Sequence, residues 1–182
     1  MNKIIKKLKK GFTLIELMVS LSIFVLVISS SSSILIMTIR SQKKAFAQQE
    51  LLNQTSYLME KMSKSIRMAR KDKDGICGSK ISNTNYYFSP TSIEFLNYNG
   101  ICQKFYLNNG EIKEKLGATD LPLTSSNLDV EYFNVDVEYG DQADNMQPKV
   151  TFVLKIKSGV EPNDANINIQ TTISQRNPDV QY

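Results

Sequence analysis

The sequence predicts an α+β protein in which a long N-terminal helix precedes an antiparallel β domain, and three observations carry that prediction. Residues 12–39 hold one ionisable side chain, Glu16, and neither Pro nor Gly, which is enough apolar chain to cross a bilayer as a helix, since about 20 residues suffice. Residues 40–70 also lack Gly and Pro and keep apolar side chains at helical intervals. From Tyr86 onward the pattern turns to the two-residue alternation of strands, punctuated by Asn-Gly pairs.

Taken in order, residues 1–11 form a leader with five Lys and no acid that ends at Gly11. Such a basic flank stays on the cytoplasmic side of a membrane. The apolar run then starts abruptly at Phe12, with a carboxylate four residues further on. A charge inside a membrane segment costs about 2.5–3.5 kcal/mol on insertion scales, so Glu16 is expected to have a function and a partner. An ordinary secretory signal is disfavoured, because its apolar part is about 7–15 residues and closes on a small-x-small site.

The stretch KKGFTLIELMVSLSIFVLVIS, beginning at Lys9, resembles the cleavage and methylation signal of type IV pilins and type II secretion pseudopilins: basic leader, Gly, Phe, Thr, Leu, one apolar residue, Glu. The resemblance implies that a prepilin peptidase cuts between Gly11 and Phe12 and methylates the new amine of Phe12. It implies a lollipop-shaped fold, with a helix whose first half is transmembrane and whose amphipathic second half packs on an antiparallel sheet. It also implies a single-pass protein of the cytoplasmic membrane, N-terminus inside and C-terminal domain outside, later extracted into a pilus or pseudopilus. The partners it implies are the peptidase, membrane lipid, other pilin subunits met through the N-terminal helix, and an inner-membrane assembly platform. Glu16 would be the counter-charge for a neighbouring subunit's amino terminus, a pairing that enforces register more than it adds net stability. The helix continuation TSYLMEKMSKSIRMARK, with the late strands, is similar to minor pilins of the PilW type and to the J-type minor pseudopilin.

Charge supports that division of the chain. The whole sequence carries +4, but the leader holds five of the lysines, so a processed chain would stand near −1. The basicity therefore belongs to the leader and is no argument for nucleic acid. With two cysteines, Cys77 and Cys102, only one intramolecular pairing exists, and an exported setting favours a disulfide. It would close a loop of about 25 residues and contribute roughly 3.5 kcal/mol in the chain-entropy model.

The helix is expected over about 12–70, about 88 Å at 1.5 Å per residue. Its outer face is read as Ala45, Leu52, Thr55, Met59, Met62, Ile66 and Ala69, with Leu51 and Leu58 alongside. Five consecutive serines at 29–33 fit either a point of bending or unwinding or close helix packing through small residues. Residues 71–80, KDKDGICGSK, read as a solvated loop that ends the helix. Residues 92–98, 101–108 and 111–116 flank Asn99-Gly100 and Asn109-Gly110 and predict a three-stranded meander. Residues 118–127, with Pro122, read as a crossing loop. The alternation then changes phase between Tyr132 and Phe133, which predicts a β-bulge or two short strands. Strands on Val150 to Ile156 and Ile167 to Ile173 follow, with a turn at 158–164 and a loose tail at 177–182. The organisation is thus leader 1–11, membrane helix 12–39, amphipathic helix 40–70 and β domain 71–182.

No catalytic constellation is present. The chain has no His, hence no Ser-His or Cys-His nucleophile and no zinc spacing, and it has no phosphate or dinucleotide fingerprint. No cofactor is expected. Asp141, Asp144 and Asn145 offer oxygen ligands for calcium without the spacing of an EF-hand. The aromatic residues of the meander, Tyr86, Tyr87, Phe88, Phe95, Tyr98, Phe105 and Tyr106, would need interleaved basic residues to make a platform for single-stranded nucleic acid, and only Lys80, Lys104, Lys113 and Lys115 lie nearby, so core and cross-strand packing is the favoured reading over nucleic acid as a partner. The reading is a structural subunit, a minor pilin or pseudopilin and not an enzyme; the alternative is a membrane-anchored binding or adhesion module that never polymerises.

Overall fold

In the computed structural model, which describes residues 11–78, 84–141, 146–159 and 165–176, one helix is followed by two antiparallel sheets. Helix α1 (Leu14–Arg67) is 54 residues long and continues through the serine run without a break. The hydroxyls of Ser30 and Ser31 both donate to the Val27 carbonyl at 2.9 Å, Ser32 to Ile28 at 2.9 Å and Ser33 to Ser29 at 3.2 Å. Back-bonding of this kind satisfies each hydroxyl within its own helix. The chain divides into two units, Met1–Lys43 and Lys44–Tyr182.

In the second unit, the buried face of α1 is Leu51, Thr55, Leu58, Met62 and Ile66. This stripe differs from the predicted one. Leu52 is 52% exposed and Ala45 is exposed, because Leu51, not Leu52, keeps the three-four spacing with Thr55 and Leu58, and adjacent helical residues point about 100° apart. The helix also stops three residues early. Arg70 leaves it to bridge Leu96, its N–H donating to the Leu96 carbonyl at 2.8 Å. The last carbonyls of α1 meet partners from elsewhere in the fold, Tyr86 Oη donating to Ile66 O at 2.8 Å and Arg176 N to Arg67 O at 2.8 Å, and just beyond the helix Gln175 Nε2 donates to Ala69 O at 2.9 Å. Orphan carbonyls at a buried helix end need such partners.

The first sheet has five strands in chain order: β1 (Tyr86–Ser89), β2 (Ser92–Leu96), β3 (Cys102–Asn108), β4 (Glu111–Leu116) and β5 (Thr119–Pro122). The predicted meander is its centre. At Asn109-Gly110 both residues have positive φ, 50° and 76°, the two-residue turn that matches strand twist. A Cβ on Gly110 would lie 2.5 Å from Asp129 Oδ1, which adds a packing reason for the glycine. The Asn99-Gly100 corner is looser, a three-residue loop in which the Asn97 side chain accepts from Asn99 N and Ile101 N at 3.0 Å. The expected crossing loop is in part strand β5, since Leu116 pairs Thr119 across the tight turn Gly117-Ala118. Pro122 is tolerated because β5 is an edge.

The second sheet is β6 (Leu128–Glu138), β7 (Lys149–Ser158) and β8 (Asn166–Ser174), in that order. The phase change in β6 is a bulge: the register shifts between Val130 and Tyr132, so Leu128 and Val130 are buried on one side of it and Phe133 and Val135 on the other. Glu131, the inserted residue, faces Lys155 at 2.7 Å and Lys157 at 2.9 Å. Its bond to Lys155, then that to Lys157, holds its carboxyl below the usual range. The core joins the helix stripe to Tyr86, Phe95 and Phe105 of the first sheet and to Val150, Phe152, Leu154 and Ile156 of β7, these seven sheet residues all fully buried. Between helix and first sheet, buried Gln103 and Glu114 also meet Ser65 and Lys61 in a polar bridge of side chains.

Candidate processing and assembly site

The segment from Gly11 to Glu16 is built around a helix start. Thr13 precedes the first residue of α1, and its Oγ1 accepts from Glu16 N at 3.3 Å while its carbonyl accepts from Leu17 N at 3.2 Å. Thr13 is therefore the N-cap and Glu16 the third helical residue, the positions of a capping box. Read from the sequence, Glu16 is only a counter-charge; the Thr-x-x-Glu spacing ahead of an apolar run was also legible and places its backbone N–H in the helix cap. An acid in the first turn further suits the positive end of the helix dipole.

Gly11 lies outside the helix and is exposed. A Cβ there would meet nothing within 4 Å, and its φ is outside the left-handed region. Among the described residues, nothing in the fold demands glycine at this position. Phe12 is 77% exposed, and the large apolar side chains from Leu14 to Ile39 are between 45% and 79% exposed. This helix is long and apolar enough to cross a membrane. Residues 1–10, the basic leader, lie outside the described residues.

In the β domain, Cys77 and Cys102 form a disulfide, with Cα atoms 5.4 Å apart. The segment carrying Cys77 is not the solvated loop that its charges suggest. Asp72 is fully buried, and its carboxylate accepts from Ile76 N and Cys77 N, both at 2.8 Å, and from Tyr87 Oη at 3.3 Å. Burial first, then the Asp72 charge and this bond, push the Tyr87 phenol from 10.0 up to about 12. A group that holds its proton more tightly when folded contributes in full below its unfolded pKa and loses that contribution as pH rises through the folded one. The Asp72–Tyr87 contact should therefore weaken between pH 10 and about 12. Unfolding of wild type and Tyr87→Phe followed across that window should show the steeper loss in wild type; parallel curves would remove Tyr87 from the alkaline transition.

Across the outer face of the first sheet runs a cross-strand row, Tyr87, Glu94, Lys104, Lys115 and Asp120. Its members Glu94, Lys104, Lys115 and Asp120 line a hollow of about 410 Å³. Two acids there offset two lysines, and Asp120 accepts from Tyr106 Oη, so the surface has no excess charge with which to track a nucleic acid backbone. Tyr86, Phe95 and Phe105 are buried against one another with centroids 5.9 Å apart, leaving them unable to stack on bases. Of the predicted calcium ligands, Asp144 and Asn145 lie outside the described residues, as do most of the 158–164 turn and the 177–182 tail; Asp141 is exposed and pairs with Thr84 through the backbone.

Residues 6–32 match a family model described as the prokaryotic N-terminal methylation motif. No curated protein and no solved structure matches the chain.

Proposed function

We propose, starting from the place in the type IV pilin-like family that the N-terminal methylation motif supports, that this chain is a structural filament subunit, a minor pilin or pseudopilin. The observation that carries the reading is that motif, residues 6–32, whose greater part forms the start of an exposed apolar helix beginning at Leu14. The chain enters the cytoplasmic membrane by this helix, with its leader inside and its β domain outside. Prepilin peptidase cuts between Gly11 and Phe12 and methylates Phe12. The new terminal amine then lies close to hydrocarbon, where an unpaired charge is costly, and Glu16 of a neighbouring subunit neutralises it as the assembly platform draws the helix into the filament core. The disulfide holds the loop after α1 to the first sheet in the oxidising space outside.

The test is intact-mass and N-terminal peptide analysis of the full chain extracted from membranes, with and without co-expressed prepilin peptidase. A chain beginning at methylated Phe12 only when the peptidase is present is the expected result. A chain beginning at Met1 in both samples would overturn the reading in favour of a permanently anchored binding module.

A further inference from the structure

β8 is the open edge of the second sheet. One side of it pairs with β7 along its whole length, and among the described residues nothing pairs with the other. The opposite margin of the same sheet is engaged: on β6, Val130 N donates to Gly110 O at 2.8 Å and Val135 N to Pro90 O at 3.1 Å. Exposed edges are normally blunted by shortness, charge, proline or a bulge. β5, at the edge of the first sheet, has four residues including Asp120 and Pro122, and β1 at its other edge also has four. β8 has none of these protections. Its nine residues, NINIQTTIS, carry no charge, Pro or Gly and keep an uninterrupted register. On its core side Ile167, Ile169 and Thr171 remain half-buried, although their β7 neighbours Ile156, Leu154 and Phe152 are fully buried. The core is unfinished at this margin.

We propose that β8 pairs antiparallel with β8 of a second copy, centred on Gln170, joining two three-stranded sheets into one of six strands. The strand is self-complementary in that register. Ile167 meets Ile173 on the core side, Gln170 meets Gln170, Asn168 meets Thr172 and Asn166 meets Ser174 on the outer side, so these positions face ones of like polarity, and the β-branched Ile169 and Thr171 face each other. Charge argues for the same occupant: β8 offers no ionisable group, Lys155 and Lys157 on the strand beside it are already paired with Glu131 and Asp129, and Lys149 at its far end lies over the Tyr139 ring, so an uncharged strand suits this edge better than a charged one. A two-fold pairing consumes the edge of both copies and closes after two, which keeps an unprotected strand from recruiting further chains. The dimer concerns the exported domain and stands independently of processing and filament assembly.

The test uses the full chain in membranes, where both described cysteines are already joined to each other. Under mild oxidation, Gln170→Cys should give a disulfide-linked dimer at least about tenfold more abundant than Asn168→Cys or Thr172→Cys alone, while a mixture of the last two chains should cross-link to each other. All three side chains are exposed, so the substitutions spare the core. Equal yields at the three positions, or none at Gln170, would overturn the proposal. In detergent, N168K/T172K sets like charges opposite one another and should weaken association at least about tenfold, and N168K/T172E should restore it. Association that ignores both pairs would equally exclude a β8 interface.

Discussion

Glu16→Gln is expected to leave cleavage after Gly11 intact and to lower recovery of the chain in filaments by at least about a hundredfold. Removing one partner of a buried ion pair costs about 3–5 kcal/mol, and each 1.4 kcal/mol is a factor of ten. Glutamine is the informative substitution because Glu16 has two roles. Its backbone N–H is held by the Thr13 cap at 3.3 Å, and a capping box accepts Gln as well as Glu at that position, so Glu16→Gln removes the charge and spares the helix start. Thr13→Ala does the reverse and should cost only about 1 kcal/mol of helix stability. The readout is the ratio of chain in sheared filaments to chain in membranes, with the N-terminal mass taken in parallel. Normal incorporation of Glu16→Gln would show that the charge is dispensable; loss with Thr13→Ala alone would assign the effect to the cap.

Asp72→Ala is expected to lower the unfolding free energy by about 3–5 kcal/mol, an effect as large as removing the disulfide. Hydrogen bonds to a charged group contribute about 1.5–3 kcal/mol each, and this carboxylate holds two backbone donors at 2.8 Å in a fully buried position. One of those donors belongs to Cys77, so Asp72 also sets the turn that presents Cys77 to Cys102. A double-mutant cycle separates the two contributions. Cys77→Ser with Cys102→Ser should cost roughly 3.5 kcal/mol, and Asp72→Ala should cost less in that background than alone if part of its effect runs through the disulfide. Thermal and urea unfolding of the full chain in detergent provide the measurement. A loss under about 1 kcal/mol for Asp72→Ala would mean that water or another group replaces the carboxylate at no cost.

The parts of the molecule that were legible in the sequence are those whose signal is local. Asn109-Gly110 announced its turn because two consecutive positive φ values exclude most side chains. Val150, Phe152, Leu154 and Ile156 announced β7 because a strand's side chains alternate faces. The bulge in β6 was visible as a change of phase, since one extra residue reverses every later side chain. β5 was missed because its four exposed residues bury nothing and so leave no pattern.

At the candidate site, the sequence by itself picked out the segment from Gly11 to Glu16: a glycine closing a basic leader, then Phe12 and a lone carboxylate opening an apolar helix, all within six residues. The tertiary structure alone decided where α1 ends, because the groups that meet its last carbonyls come from Tyr86 and Arg176, and Gln175 holds the Ala69 carbonyl just beyond it. It alone decided that Leu51 and not Leu52 faces the core, and that Asp72, amid a run of charges, is buried as the anchor of the disulfide turn. A helix start is a contract among neighbours in the chain, whereas the partner of a buried carboxylate or of an orphan carbonyl can lie a hundred residues away and is chosen only when the core closes.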